Sequence, residues 1–418
     1  MTAARAPVEE EPHRSRFLHI AVVLKLIHHA SAEGSPVPIL LAPGPTEVAP
    51  AVLKAASHPA ESHFSQSFAD VFGDTLSSLR PLFQCTDPQA QPFVLGGSGT
   101  LGWDFVATNF IAEGEAVLCL STGFFANGFY NCLTAYGADT TKLTPTAMGR
   151  AVSLDAVAAE LRSKQYKAVV ATHVETSTAV LTQLKPLSDL IRSISPETLL
   201  VVDAVASLVS EELRFSEWDI DIVLTGSQKA LSCPPGLSIT MVSSRAIDIA
   251  LQQYSSQQKQ RGWYASLPRW LPIMRSYEAK KVGYFATPPT QLFEVWRRHK
   301  AKAASVREAI SQELGLVLLS TVPEEQANGL TACWLPEELE AKDVLGSMLK
   351  KGFMLSGGMH AELGTKYVRF GHMGYSAFGE ETHVQQGLEA LKEVFAEFRK
   401  VDADEGDGDS GYASPGSV

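Results

Sequence analysis

Short, almost wholly apolar runs recur between segments of helical spacing, at Phe93–Leu95, Ala116–Leu120, Ala168–Ala171, Leu199–Val202, Ile220–Leu224 and Leu237–Val242. Strands that read as continuous apolar runs have both faces buried, so this pattern predicts an α/β fold with a mainly parallel central sheet covered by helices. With 418 residues and 45% hydrophobic content, the chain can bury a core of that size and divides most naturally into two or more domains. Beyond about Phe293 the pattern changes to a charged helix, strands near Gly329–Trp334 and Lys366–Phe370, and a closing helix around Glu380–Lys400. The expected organisation is an N-terminal extension (1–38), a large domain (39–292), a smaller C-terminal α+β domain (293–400) and a disordered, acidic, Gly/Asp/Ser-rich tail (401–418).

The net charge of −11, part of it in tail residues Asp402, Asp404, Glu405, Asp407 and Asp409, argues against nucleic acid as a partner. The five cysteines (Cys85, Cys119, Cys132, Cys233, Cys333) are odd in number and contain no C-x-x-C pair, so neither a disulfide framework nor a metal site is expected, and a reducing compartment fits, the cytoplasm first, with the mitochondrial or peroxisomal matrix as alternatives. The longest apolar stretch near the start, Phe17–Ile27, holds His19 and Lys25 and is too short to span a bilayer. As a signal-peptide core it lacks the basic flank, because Glu9, Glu10 and Glu11 precede it; the same cluster opposes a mitochondrial presequence despite Arg5, Arg14 and Arg16. The C-terminal Gly-Ser-Val is no peroxisomal address.

Gly96-Gly-Ser-Gly-Thr100 joins a strand to a helix beginning near Leu101. Such a turn offers backbone N–H groups and the positive end of a helix dipole to an anion, so a phosphate belongs there. Gly97, Gly99 and Gly102 also satisfy the dinucleotide fingerprint, but the next strand ends Leu118-Cys-Leu-Ser-Thr122 with no acid for a ribose. A monophosphate is the better reading.

Asp203 ends the run Leu199–Val202, and Lys229 follows the run Ile220–Leu224 in Gly226-Ser-Gln-Lys229. Taken alone, the aspartate serves equally as a helix cap and the lysine as a loop residue. An amine and an acid at the carboxyl ends of two buried strands are together what pyridoxal phosphate needs: a group to condense with its aldehyde and a partner for its ring nitrogen. A lysine drawn partly out of water also titrates below its usual range and can carry a proton.

Thr172-His-Val-Glu-Thr-Ser-Thr178 delivers hydroxyls to the same sheet edge, with Thr176 expected on the side of the cofactor's phenolic oxygen and His173 equally readable as structural or catalytic. In Lys366-Tyr-Val-Arg-Phe370, strand alternation puts Tyr367 and Arg369 on one face, where the guanidinium would grip a substrate carboxylate. The loop Pro43-Gly44-Pro45 would wall a pocket for small substrates.

These segments, with Tyr284-Phe-Ala-Thr-Pro-Pro289 and Arg369-Phe-Gly-His-Met-Gly374, resemble the class V, fold-type I pyridoxal phosphate aminotransferases. Among them the fungal alanine–glyoxylate aminotransferases are closest, and the similarity runs from about Pro43 to Phe398. The resemblance implies transfer of an amino group from alanine to glyoxylate, with serine–pyruvate transamination as the alternative. It further implies covalent attachment of the cofactor at Lys229, Asp203 on the ring nitrogen, and Ser98, Gly99, Thr100 and Gln228 around the phosphate. Arg369 and Gly44 would meet the substrate. A homodimer with composite sites is implied too, Tyr284 and Thr287 reaching the partner's phosphate. Phe125 stands where animal members stack a tryptophan on the cofactor, and Thr100 where they carry histidine. After Pro289, Gln291–Trp296 runs almost directly into the charged helix at Arg297, so about 15 residues, roughly four turns, of an interdomain helix are absent, which admits a catalytically impaired relative. A cysteine desulfurase would need a thiol in the loop Ser356–Met359, and there is none.

Overall fold

The computed structural model describes residues 38–56, 62–256, 261–283, 299–360, 362–373 and 383–406, essentially all in the unit that begins at Ile39. Its centre is a seven-stranded sheet of β1 (Gln91–Gly96), β2 (Ala116–Leu120), β3 (Asp139–Leu143), β4 (Ala168–Thr172), β5 (Leu199–Asp203), β6 (Ile222–Gly226) and β7 (Leu237–Val242) in the order β1-β7-β6-β5-β4-β2-β3. Neighbours from β3 through β6 run parallel, and β7 is antiparallel to both β6 and β1. Every residue of β4, β5 and β6 is buried, as the unbroken apolar runs require. The pattern missed β3, Asp139-Thr-Thr-Lys-Leu143, because an edge strand with exposed positions carries no apolar run.

Helices cover both faces, among them α1 (Gln66–Leu82), α2 (Leu101–Asn109), α3 (Phe124–Ala135), α4 (Leu154–Ser163), α5 (Leu184–Ile194), α6 (Ser244–Ser256) and α7 (Leu267–Glu278). The sequence sets their starts locally: the hydroxyls of Ser65 and Ser153 accept from Phe68 N and Ala156 N at 3.2 and 3.3 Å. Helix α1 then buries Phe68, Phe72, Leu76 and Leu79, and Phe68 and Phe72 meet the ring of Tyr277 on α7 edge-on. Each such apolar side chain contributes about 1.5–3 kcal/mol on leaving water.

A second sheet pairs β8 (Leu330–Trp334) and β9 (Ser356–Gly357) with the central β10 (Tyr367–Gly371), all antiparallel. Its own core gathers Val306, Val344, Met348, Val368, Phe370, Leu388 and Leu391 from helices α8 (His299–Glu308), α9 (Ala341–Lys350) and α10 (His383–Gly406) and the sheet, together with Leu41 and Ile310 from outside these elements. Helix α10 continues to Gly406, into the tail expected to be disordered; Val401 to Glu405 contain no Gly or Pro to stop it. Tyr284, Thr287 and the junction after Pro289 lie outside the described residues, as do the extension up to Val37 and the tail beyond Gly406.

Leu41 starts a strap that crosses from this second core to the large sheet. Its N–H donates to Met354 O and its carbonyl accepts from Gly371 N, at 3.0 and 2.8 Å. Five residues on, Thr46 N donates to Gln228 O at 3.0 Å and Thr46 Oγ1 to Lys229 O at 2.8 Å.

Candidate active site

The carboxyl ends of β1, β4, β5 and β6 open to one edge of the sheet, where α/β proteins bind their ligands. Asp203, the last residue of β5, is buried, and its oxygens have separate donors: Val205 N reaches Oδ1 at 3.0 Å and the indole Nε1 of Trp103 reaches Oδ2 at 2.7 Å. Burial pushes this carboxyl up to about 6, with the charge of Glu175 adding to it and the two hydrogen bonds and the charge of Lys229 acting against it. Asp203 thus caps the turn after its strand through Oδ1, while Oδ2 is held by the indole of Trp103.

Lys229 lies just past β6, its Nζ donating to the carbonyl of Pro43 in the strap at 2.8 Å. Burial lowers its ammonium to about 8, helped by the positive charge of Arg369 and opposed by Asp203 and Glu175. The neutral, nucleophilic form is therefore far more populated near physiological pH than for an ordinary lysine, though the ammonium still predominates. Gly44, next in the strap, has φ +97°, and a Cβ there would run into the Lys229 side chain.

The turn Gly97–Thr100 enters α2 as expected. Among the described residues, the backbone N–H groups of Ser98, Gly99 and Thr100 have no protein partner, while the Ser98 and Thr100 hydroxyls bond each other at 2.5 Å. Gly99 is buried against Val205, with no space for a side chain. The Gln228 carboxamide oxygen, like the Gly99 amide nitrogen, borders Gly226, and that oxygen is buried without a partner. Rotating that amide presents its NH2 group instead.

Thr176 and Arg369 meet across the two sheets: Arg369 Nη1 donates to Thr176 O at 3.1 Å and Nε to Gly357 O at 2.8 Å. Tyr367, on the same face of β10, donates its hydroxyl to Ser177 O at 2.7 Å, while Val368 and Phe370 turn into the second core. Among the described residues, Nη2 of the buried Arg369 guanidinium has no acceptor, and burial lowers its pKa. His173 is buried with Nδ1 3.0 Å from Ser207 Oγ, and burial pushes it down to about 3. It is neutral and held inside the fold, in line with the structural reading. Phe125 is half-buried near the start of α3 and meets Phe124 edge-on.

Two residues at the site carried no signal of their own in sequence. Trp103 is one; Glu175 is the other, although it sits inside the segment Thr172–Thr178. Completely buried, Glu175 accepts from Phe125 N and Ala126 N through Oε2 (3.0 and 2.9 Å) and from Ser177 N and Oγ through Oε1 (3.0 and 2.7 Å). It supplies from another strand the cap that Gly123 cannot give α3, and burial raises its pKa against those bonds. Glu175→Ala is expected to cost about 1–3 kcal/mol of stability by orphaning those donors, read as a lower urea midpoint. An unchanged midpoint would remove Glu175 from the helix cap.

The pattern of the family described as aminotransferase class-V matches residues 42–269 of the chain. The chain belongs to the class-V aminotransferases. It is 41% identical over 81% of its length, and 92% of the relative's, to alanine–glyoxylate aminotransferase 1 of Saccharomyces cerevisiae. In structure this aminotransferase is similar to an alanine–glyoxylate aminotransferase from Nostoc sp. (28% identity, TM-score 0.77, 87% of this chain and 96% of that one). It is likewise similar to the ureidoglycine–glyoxylate aminotransferase from Bacillus subtilis (25%, TM-score 0.77, 88% and 95%). Its fold is fold type I of the pyridoxal phosphate enzymes, and pyridoxal phosphate is its cofactor. The site suits that molecule: unpartnered N–H groups at a helix start for a phosphate, a lysine amine lowered toward neutrality, and a buried carboxylate. No group of His, Cys, Asp and Glu that could hold a metal occurs among the described residues, and none of their helices is long and apolar enough to cross a membrane.

Proposed function

We propose that this aminotransferase moves the amino group of alanine to glyoxylate, giving pyruvate and glycine, in two half-reactions. The observation that carries the reading is the juxtaposition of Lys229 and Asp203, each acting electrically on the other, at one sheet edge, with Arg369 brought over it from the second sheet. The 41% identity to the yeast alanine–glyoxylate aminotransferase supports the choice of substrates.

Bound pyridoxal phosphate supplies an aldehyde for the substrate's nitrogen and a ring that accepts the electron pair left when the Cα proton departs. Lys229, whose amine burial lowers to about 8, would take that proton and return it. Asp203, as a carboxylate, keeps the ring nitrogen protonated. Arg369 turns its remaining donors to the substrate's carboxylate, and the Pro43–Pro45 strap limits the side chain to a small one. Ser98, Gly99, Thr100 and Gln228 would hold the phosphate, Thr176 would lie on the side of the phenolic oxygen and Phe125 would offer its face to the ring.

The working unit is a homodimer in which Tyr284 and Thr287 complete the partner's phosphate site, and the chain divides into large and small domains at about 292. Five cysteines outside any disulfide suit the cytoplasm, and the reaction belongs to glyoxylate metabolism and glycine formation.

Purified yellow enzyme should lose its visible absorption on addition of alanine and recover it on glyoxylate. Bleaching by serine but not alanine would shift the donor to serine, and a colourless, unresponsive protein would favour an impaired relative that keeps the fold.

A further inference from the structure

We propose that Trp103 is a positioning residue of the site, aiming the Asp203 carboxylate at the ring-nitrogen position through its indole N–H; this rests on the assignment of Asp203 made above. The indole has little freedom to do anything else. One face stacks on Phe129 of α3 with centroids 5.4 Å apart and planes 12° from parallel, and its edge lies against Gly128, where a Cβ would come within 2.9 Å of two ring carbons. A ring fixed from two sides delivers its single N–H along one direction, and that direction ends on Asp203 Oδ2 at 2.7 Å.

Trp103 is also the third residue of α2, the helix that starts at the phosphate turn. The turn whose backbone N–H groups are offered to the phosphate therefore runs straight into the helix that carries the donor orienting the acid. This ties together the two ends of the space a cofactor ring would span. The bond is a neutral donor on a charged, buried acceptor in a partly buried setting, the stronger class of hydrogen bond.

The charged groups acting on Asp203 are Lys229 and Glu175, while His173, whose backbone N–H donates to Asp203 O at 2.9 Å, is held neutral by burial. Of these only Lys229 favours the carboxylate form, so the N–H bonds from Trp103 and Val205 supply the rest of what opposes protonation. Removing the indole bond leaves Asp203 easier to protonate and free to turn.

The test starts from the enzyme with its cofactor removed and its tryptophans labelled with nitrogen-15. Among the signals of the chain's six tryptophans, one indole N–H signal should be missing in W103F. In the wild type that signal should move with pH around about 6 as Asp203 gains its proton, and it should stand still in D203N. Equilibrium dialysis of pyridoxal phosphate against W103F, which keeps the stacking ring, should give a dissociation constant raised roughly tenfold, growing further as pH falls. A Trp103 signal that ignores pH in the wild type overturns the proposal without any variant. So does cofactor affinity in W103F equal to wild type at every pH, provided D203N binds weakly. If D203N itself binds and turns over like wild type, the role given to Asp203 fails and takes that of Trp103 with it.

Discussion

Lys229→Ala is expected to reduce transamination by roughly 10²–10⁴-fold, the range that a positioned proton-transfer group contributes. The enzyme should still fold. Among the described residues, the only side-chain bond lost is the one from Nζ to Pro43 O, a single hydrogen bond worth roughly 1 kcal/mol, and removing a buried amine relieves a desolvation cost in return. The variant should also lose the visible absorption of the lysine-bound cofactor while still binding pyridoxal phosphate through the Gly97–Thr100 turn. Single-turnover kinetics with alanine and a thermal melt separate the two effects. Turnover near the wild-type rate in a folded variant would reject the catalytic assignment, and collapse of the fold would show that Lys229 is needed for stability.

The second large effect is expected one step away, at a residue with no chemistry. Gly44→Ala places a methyl where the Lys229 side chain now lies, at φ +97°, where an L-residue pays about 1–3 kcal/mol of backbone strain. The strap is fastened on both sides of this point, by Leu41 to Met354 and Gly371 and by Thr46 to Gln228 and Lys229, so it cannot simply lift away. The amine must move instead. A displacement of about 1 Å at a reacting group costs on the order of 10²-fold in rate, so kcat should fall by about that factor while the melting temperature drops only modestly. If Gly44→Ala turns over normally, the strap does not press on the amine during catalysis.

How far such effects could be read beforehand depended on the range of the interaction. The strands β4, β5 and β6 were legible because complete burial writes itself locally as an apolar run, and the turn Gly97–Thr100 because only glycine-rich sequence makes a tight entry to a helix. The alternation in β10 likewise sent Tyr367 and Arg369 to one face, and both contact the Thr176–Ser177 segment. Edge strand β3 was not legible, since half-exposed Asp139-Thr-Thr-Lys142 resembles a loop. Trp103 looked like one more apolar helix residue, because nothing within α2 reveals an acceptor 100 residues away. Glu175 read as one polar residue among hydroxyls, because its role depends on α3, about 50 residues earlier, beginning at a glycine that cannot cap it.

By itself, then, the sequence determined the kinds of element, the α/β class and the chemical types at each strand end, since burial, periodicity and turn geometry act between near neighbours in the chain. Only the tertiary structure decided that Pro43 would hold the Lys229 amine, that Trp103 would hold Asp203, and that Arg369 would bond the carbonyl of Thr176. Those contacts join residues 100 to 193 positions apart, and packing of the two cores, not local propensity, fixes the few ångströms on which a hydrogen bond depends.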